Sequence, residues 1–137
     1  MIGRRLGRRA PAASADLRAR LERARLETLA LLRALDHACL APRELPHAAL
    51  ARLAALDADC AEALWALEQP VGALNLQAMV QDTLASLDRL ADTRTQIRAG
   101  VPAHAGAQLA RLEPVIRVTL DPTEAYTDVP GRDPQNR

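Results

Sequence analysis

The sequence predicts an all-α protein, an up-down-up antiparallel helical bundle of three long helices with a short fourth helix as an option. Three observations carry this prediction. The chain has 29 Ala and 23 Leu among its 137 residues, and both are strong helix formers. It has no Phe, one Tyr and one Trp, so the aromatic residues that favour strands are scarce. Three segments also repeat apolar residues at intervals of three and four, the spacing of one helix face.

The first helix is predicted from Ser14 or Asp16 to about Leu40. The side-chain oxygens of Ser14 and Asp16 suit an N-terminal cap, because they accept hydrogen bonds from free helix N–H groups. Pro42 and Pro46 then bracket a short break. One stripe of the helical projection holds Leu17, Leu21, Ala24, Thr28, Leu31, Leu35 and Ala38.

The second helix is predicted from Pro46 to Glu68, since Pro is tolerated at a first helical position and Pro70 and Gly72 end the pattern. Its apolar stripe holds Ala49, Leu53, Leu56, Cys60, Ala63 and Leu67.

The third helix is predicted from Ala73 or Asn75 to Ala99, and Gly100 and Pro102 stop it. Its stripe holds Leu76, Val80, Thr83, Leu87, Leu90 and Ile97. The connectors are short, which favours antiparallel neighbours that bury one another's apolar faces. A long helical hairpin completed by another chain fits the same pattern.

Arg94 falls in the centre of the third stripe, between Leu90 and Ile97. A buried Arg without a partner is costly. We therefore expect the third helix to project past the core at this level, with Arg94 in water. The alternative is a buried Arg94 that pairs with Asp36 or Glu44 near the first connector and sets the helix register.

The chain is predicted to divide into a flexible basic arm (1–13), a helical bundle domain (14–113), and an extended segment with a Pro-rich tail (114–137). Residues 105–113 form the optional short helix. The run 114–120 alternates apolar and polar residues as a strand does. Since no partner strand exists in the sequence, we expect it to lie extended on the bundle. Pairing with another molecule is the alternative.

Polar and thiol side chains gather in the sequence around the first connector, namely His37, Cys39, Glu44 and His47, with Cys60 further along. Glu44 and His47 have the spacing of a di-iron motif, but Pro46 separates them and no second copy exists. The close ligand pairs of a zinc site are absent, as are Gly-rich phosphate loops and nucleophile elbows. The sequence therefore predicts no metal, no cofactor and no enzyme. A metal or thiol enzyme stays as a third hypothesis.

A basic cluster near the first residue suggests a nucleic-acid-associated accessory protein as the alternative function. Arg4, Arg5, Arg8 and Arg9 carry four positive charges with no acid nearby, in a chain of net charge +1. Such an arm can neutralise phosphates. Aromatic platforms for stacking bases are almost absent, so the signal is weak.

The leading hypothesis is a non-enzymatic interaction or assembly protein that binds a protein partner and self-associates. Leu26 and Leu29 lie about 180° and 120° from Leu17 on the helical projection, outside the main stripe. Trp65 is similarly displaced on the second helix, and Trp is enriched at binding hot spots. The proposed partner-binding residues are Leu26, Leu29, Trp65, Ile116, Val118, Leu120 and Tyr126. With no apolar run that would span a membrane and no secretory signal, we expect a cytoplasmic protein.

Overall fold

Four helices build the protein in a computed structural model that describes residues 2–69 and 76–120, with side chains described for 15–69 and 77–120. They are α1 (Ile2–His37), α2 (His47–Leu67), α3 (Leu76–Gly100) and α4 (Ala103–Leu120), with a 3₁₀ turn at Pro42–Glu44. The described ranges contain no strand. Helix packs on helix throughout, since α1 contacts the other three and α2 contacts α3. The predicted all-α helical bundle is confirmed.

The predicted stripes form the core. The apolar side chains with no exposed surface are Leu21, Leu31, Ala34, Leu53, Cys60, Leu90 and Ile97. They come from three helices and belong to one cluster, to which α4 adds Leu109. Each buried leucine contributes about 1.5–3 kcal/mol relative to exposure, so this cluster is the main favourable term for folding.

Two ion pairs show the direction of α2 relative to α1. Arg25 contacts Asp57 at 3.1 Å, and Arg18 contacts Glu68 at 3.2 Å. Arg18, which precedes Arg25 in α1, thus pairs with the residue that caps the C-terminal end of α2, beyond Asp57, so the two helices run antiparallel.

Helix α3 returns beside α2, because Arg52 near the start of α2 donates to Gln96 near the end of α3, at 3.5 Å. Helix α3 is therefore parallel to α1. This is the predicted up-down-up order.

The boundaries of α1 differ from those predicted. The helix begins at Ile2, so its backbone includes most of the segment 1–13 that we expected to precede it. The flexibility of that basic arm stays a prediction. It ends at His37 rather than near Leu40, because Cys39 has a φ of 55°, in the left-handed region that often terminates helices. The chain then turns toward α2.

Arg94 is buried, and the expectation that it lies in water is wrong. Only 7% of its surface is exposed. Its guanidinium lies 3.0 Å from the Glu27 carboxylate and donates to the Ala24 carbonyl at 3.1 Å. The alternative predicted burial with Asp36 or Glu44. The predicted burial of Arg94 is correct, but the predicted partner is wrong. Arg94 lies beside the middle of α1, and only the last turn of α3 reaches the connector that holds Glu44.

The expectation of an extended run over 114–120 is also wrong. Helix α4 has 18 residues and continues through Pro114 to Leu120. A lone extended run would leave its backbone N–H and C=O groups without partners, whereas a helix satisfies them internally. Pro114 lacks the N–H that would continue the helical ladder, and its ring crowds the Ala110 carbonyl, at a cost of about 3 kcal/mol.

Packing against the bundle explains why α4 continues past the proline. Leu112, Ile116 and Leu120 are spaced by four, which places them on one helix face, and all three are half-buried. Glu113 is buried and accepts two hydrogen bonds from Arg98, at 3.1 and 2.9 Å. These contacts on both sides of Pro114 offset the cost of the interior proline and the modest helix propensity of Ile and Val.

Replacing Glu27 by Ala removes the carboxylate partner of a buried guanidinium. Because such unpaired buried charge is strongly unfavourable and Glu27 itself is partly exposed, we expect a loss of about 2–3 kcal/mol in the free energy of unfolding. Urea unfolding followed by far-ultraviolet circular dichroism measures the change. Asp88→Ala, at an exposed position of α3, is the control and should change stability by less than about 0.5 kcal/mol. Equal effects of the two variants would contradict the assigned role of Glu27.

Candidate protein-binding face

A groove of about 280 Å³ lies between α1 and α2. Its lining residues are Glu22, Arg25, Leu26, Thr28, Leu29, Leu32 and Asp57. Leu29 is 39% exposed and Leu32 is 38% exposed, although both are large apolar side chains. The predicted pair Leu26 and Leu29 is thus brought together on one surface.

The Arg25–Asp57 pair crosses this groove and holds its two walls. The Arg25 guanidinium donates from Nε and from Nη2 to the two Asp57 oxygens, both at 3.1 Å. Hydrogen bonding to Asp57 is the main cause that raises the pKa of Arg25. A bidentate pair fixes direction as well as distance, so α1 and α2 keep a defined separation here. The leucines beside it remain in contact with water.

Helix α2 continues the apolar surface with small residues. Ala54, Ala58, Ala61 and Trp65 are spaced by four, three and four, which places them on one stripe. Ala54 and Ala58 are exposed, and Trp65 is 63% exposed. Since Ala54, Ala58 and Ala61 flank Asp57 along α2, the stripe borders the groove. We call the combined surface of Leu26, Leu29, Leu32, Ala54, Ala58 and Trp65 the α1/α2 apolar face.

A second groove, of about 220 Å³, adjoins the first at Leu32. Its other lining residues are Leu35, Asp36, Cys39, Leu40, Leu45 and Leu50. It follows the end of α1 to the connector, so the apolar surface extends over more than one turn of α1 beyond Leu32.

The predicted binding residues on α4 are divided between core and surface. Val118 is 59% exposed, whereas Ile116 and Leu120 are half-buried and Ile116 packs on the core cluster. Val115, which the sequence did not single out, is 64% exposed and lies one helical turn before Val118. Helix α4 therefore exposes a smaller apolar pair, distinct from the α1/α2 apolar face.

Other predicted residues lie outside the described side chains. Tyr126 is beyond residue 120, and Arg4, Arg5, Arg8 and Arg9 lie in the part of α1 whose side chains are not described. Nucleic-acid binding by these arginines stays a prediction.

The polar residues of the connector have structural contacts. Glu44 accepts the Ala41 N–H at 2.8 Å, which closes the 3₁₀ turn, and lies 3.9 Å from the His104 ring. A ring nitrogen of His47 lies 2.7 Å from the Pro42 carbonyl. Among the described side chains, no group of three or more His, Cys, Asp or Glu lies close enough together to hold a metal ion.

A third groove, of about 480 Å³, separates α2 from α3 and has an acidic lining. Asp59, Glu62 and Asp82 line it together with Cys60 and Thr83. Asp57 instead pairs with Arg25 of α1, so the α2 carboxylates divide between two sides of the helix. Burial is the main cause that raises the pKa of the Cys60 thiol. The thiolate is therefore disfavoured at neutral pH, and Cys60 behaves as a core residue.

Sequence reasoning missed Leu32 and the alanine stripe. Leu26, Leu29 and Leu32 repeat every three residues, so they drift around α1 from its outer side toward α2. This drift could have identified Leu32 as a candidate surface residue. It could not show that α1 and α2 leave a groove beside Leu32 instead of covering it.

In the part of the chain that the structure describes, none of the helices combines the length and the apolar character needed to cross a lipid bilayer.

The two thiols should react at very different rates. Cys39 is exposed, whereas Cys60 is buried and its pKa is raised. We expect one thiol per chain to react promptly with a chromogenic disulfide at neutral pH, and the second to react only at the rate of unfolding. Absorbance measured with and without denaturant tests this, and Cys39→Ser should abolish the prompt phase. A prompt phase that survives in Cys39→Ser would contradict the burial of Cys60.

No protein-family model, no curated protein and no solved structure matches this chain. The basis for a functional proposal is thus the surface of the chain itself.

Proposed function

We propose that this chain is a non-enzymatic helical-bundle interaction protein, which binds protein partners and self-associates through the α1/α2 apolar face. The observation that carries the proposal is the joint exposure of Leu29, Leu32 and Trp65 on neighbouring helices. Isolated exposed apolar residues are ordinary, but a contiguous apolar surface marks an interaction site.

The composition of the face supports a protein partner rather than a small molecule. The groove has a volume of about 280 Å³, below the roughly 300–1,000 Å³ of typical small-molecule sites. Two of its polar side chains, Arg25 and Asp57, already satisfy each other, and Glu22 is exposed to water. Exposed aromatic and aliphatic side chains with charges around them are the usual composition of a protein interface, and Trp65 follows Ala54, Ala58 and Ala61 along α2.

The alanines of α2 support a helix as the bound element. Ala54 and Ala58 are exposed and carry only a methyl group, so another backbone can approach α2 closely. Leu29 and Leu32 on α1 then offer side chains that pack between those of a second helix. Trp65 supplies a large contact area at the end of the stripe.

Self-association tests the proposal directly. We expect the chain to form dimers or larger assemblies between about 1 and 100 µM in sedimentation and light scattering. Leu29→Glu places a charge in the face and should weaken association about tenfold or more, and Trp65→Ala should weaken it similarly. Both positions are exposed, so both variants should retain the helical circular dichroism of the parent.

Val115→Glu on α4 is the matched control, because it introduces the same charge at an exposed apolar position away from the face. It should leave association unchanged. A chain that is monomeric throughout this concentration range would overturn the proposed self-association. Loss of association in Val115→Glu but not in Leu29→Glu would move the binding surface to α4 and overturn the assigned face.

A further inference from the structure

The exposed side of α1 carries charges in a symmetric order around its leucines. The residues are Arg18, Glu22, Leu26, Leu29, Arg33 and Asp36. They are spaced by four, four, three, four and three, so they fall within an arc of roughly 80° on the helix. All six are exposed or half-exposed. We call them the α1 outer stripe. Along the helix, a positive and a negative residue precede the two leucines, and a positive and a negative residue follow them.

When two copies of this stripe run antiparallel, each charge of one copy lies opposite a charge of the other sign. Leu26 and Leu29 are centred between residues 27 and 28, and Glu22 and Arg33 lie at equal separations on either side. Arg18 and Asp36 lie within one residue of equal separation. Two copies of the stripe placed antiparallel therefore bring Glu22 opposite Arg33 and Arg18 opposite Asp36. A parallel pairing in register would place like charges opposite each other.

The charges of the stripe are available for such pairing. Within the described side chains, Glu22, Arg33 and Asp36 take part in no ion pair inside the molecule. Arg18 pairs with Glu68 at 3.2 Å, and this pair is well exposed to water, so a second carboxylate can approach it.

We propose that the α1 outer stripe binds the same stripe of a second copy, with the two α1 helices antiparallel about a twofold axis between residues 27 and 28. This inference rests on the proposed function, and it names the partner and the register. Leu26 packs against Leu29 of the second copy, and the ion pairs at both ends fix the alignment. A twofold interface is isologous, so each contact occurs twice.

A charge exchange tests the register. Glu22→Arg and Arg33→Glu each place like charges opposite each other at two symmetric positions. We expect each single variant to raise the dimer dissociation constant roughly tenfold. The double variant Glu22→Arg with Arg33→Glu restores opposite charges, so its dissociation constant should return to within about threefold of the parent. Sedimentation equilibrium at low salt measures all four proteins.

Asp88→Arg and Arg111→Glu are the matched controls, because both positions are exposed, on α3 and α4, and lie outside the α1 outer stripe and the α1/α2 apolar face. They make the same charge changes and should leave the dissociation constant unchanged. A chain that dimerises without rescue in the double variant overturns this register and leaves the proposed self-association standing. A chain that never dimerises overturns both.

A distance measurement separates the antiparallel from the parallel arrangement. A spin label on exposed Cys39 reports the separation of two α1 C-terminal ends, since we expect buried Cys60 to react far more slowly. The antiparallel dimer predicts a label separation of roughly 35 Å, from about 1.5 Å per residue. Parallel pairing predicts about 10–20 Å. Cys39→Ser, treated in the same way, should give no signal. A parallel-range distance would overturn the inference.

Discussion

The buried guanidinium of Arg94 determines how α3 lies against α1. Its contacts with the Glu27 carboxylate at 3.0 Å and the Ala24 carbonyl at 3.1 Å are available at one alignment of the two helices. The surrounding core consists mostly of Leu and Ala, whose packing alone tolerates more than one register. Sliding α3 by a turn would bury the cation away from its carboxylate, which is strongly unfavourable. Burial lowers the pKa of Arg94, and the nearby Glu27 carboxylate raises it again. The charged guanidinium is therefore favourable only where α3 places it beside Glu27.

Two bidentate arginine pairs join α2 to α1 and α4 to α3. Arg25 holds Asp57 of α2, and Arg98 holds Glu113 of α4. In both cases hydrogen bonding to the carboxylate is the main cause that raises the pKa of the arginine. The planar guanidinium fixes orientation in a way that a lysine ammonium does not, which suits a chain without lysine. Helix positions are thereby defined in a core that has few large, shape-specific side chains.

The proposed interface follows from the central position of α1. This helix contacts all three others, yet its neighbours cover only part of its circumference. The side left open carries Leu26 and Leu29 between charges of both signs, and the adjacent side of α2 is rich in small residues. In the proposed dimer, α1 would therefore contact both the other helices of its own bundle and the α1 of a second copy. The two roles use largely different side chains of α1, with Arg18 shared because it also pairs with Glu68, so changes at Leu26, Leu29 or Arg33 should leave the bundle largely intact.

The all-α class, the extent of α2, the C-terminal end of α3 and the apolar stripes could be predicted from the sequence, because helical periodicity and helix-breaking residues are local properties; the predicted start of α3 at Ala73 or Asn75 lies outside the described residues. Leu26, Leu29 and Trp65 could be identified as surface candidates for the same reason. Only the tertiary structure decided the partner of Arg94, because that depends on how far α3 extends along α1. It also decided that α4 continues through Pro114, since the packing of Ile116 on the core and the pairing of Glu113 with Arg98 outweigh local preference. The groove beside Leu32 likewise depends on the spacing of two helices, which no single-helix pattern contains.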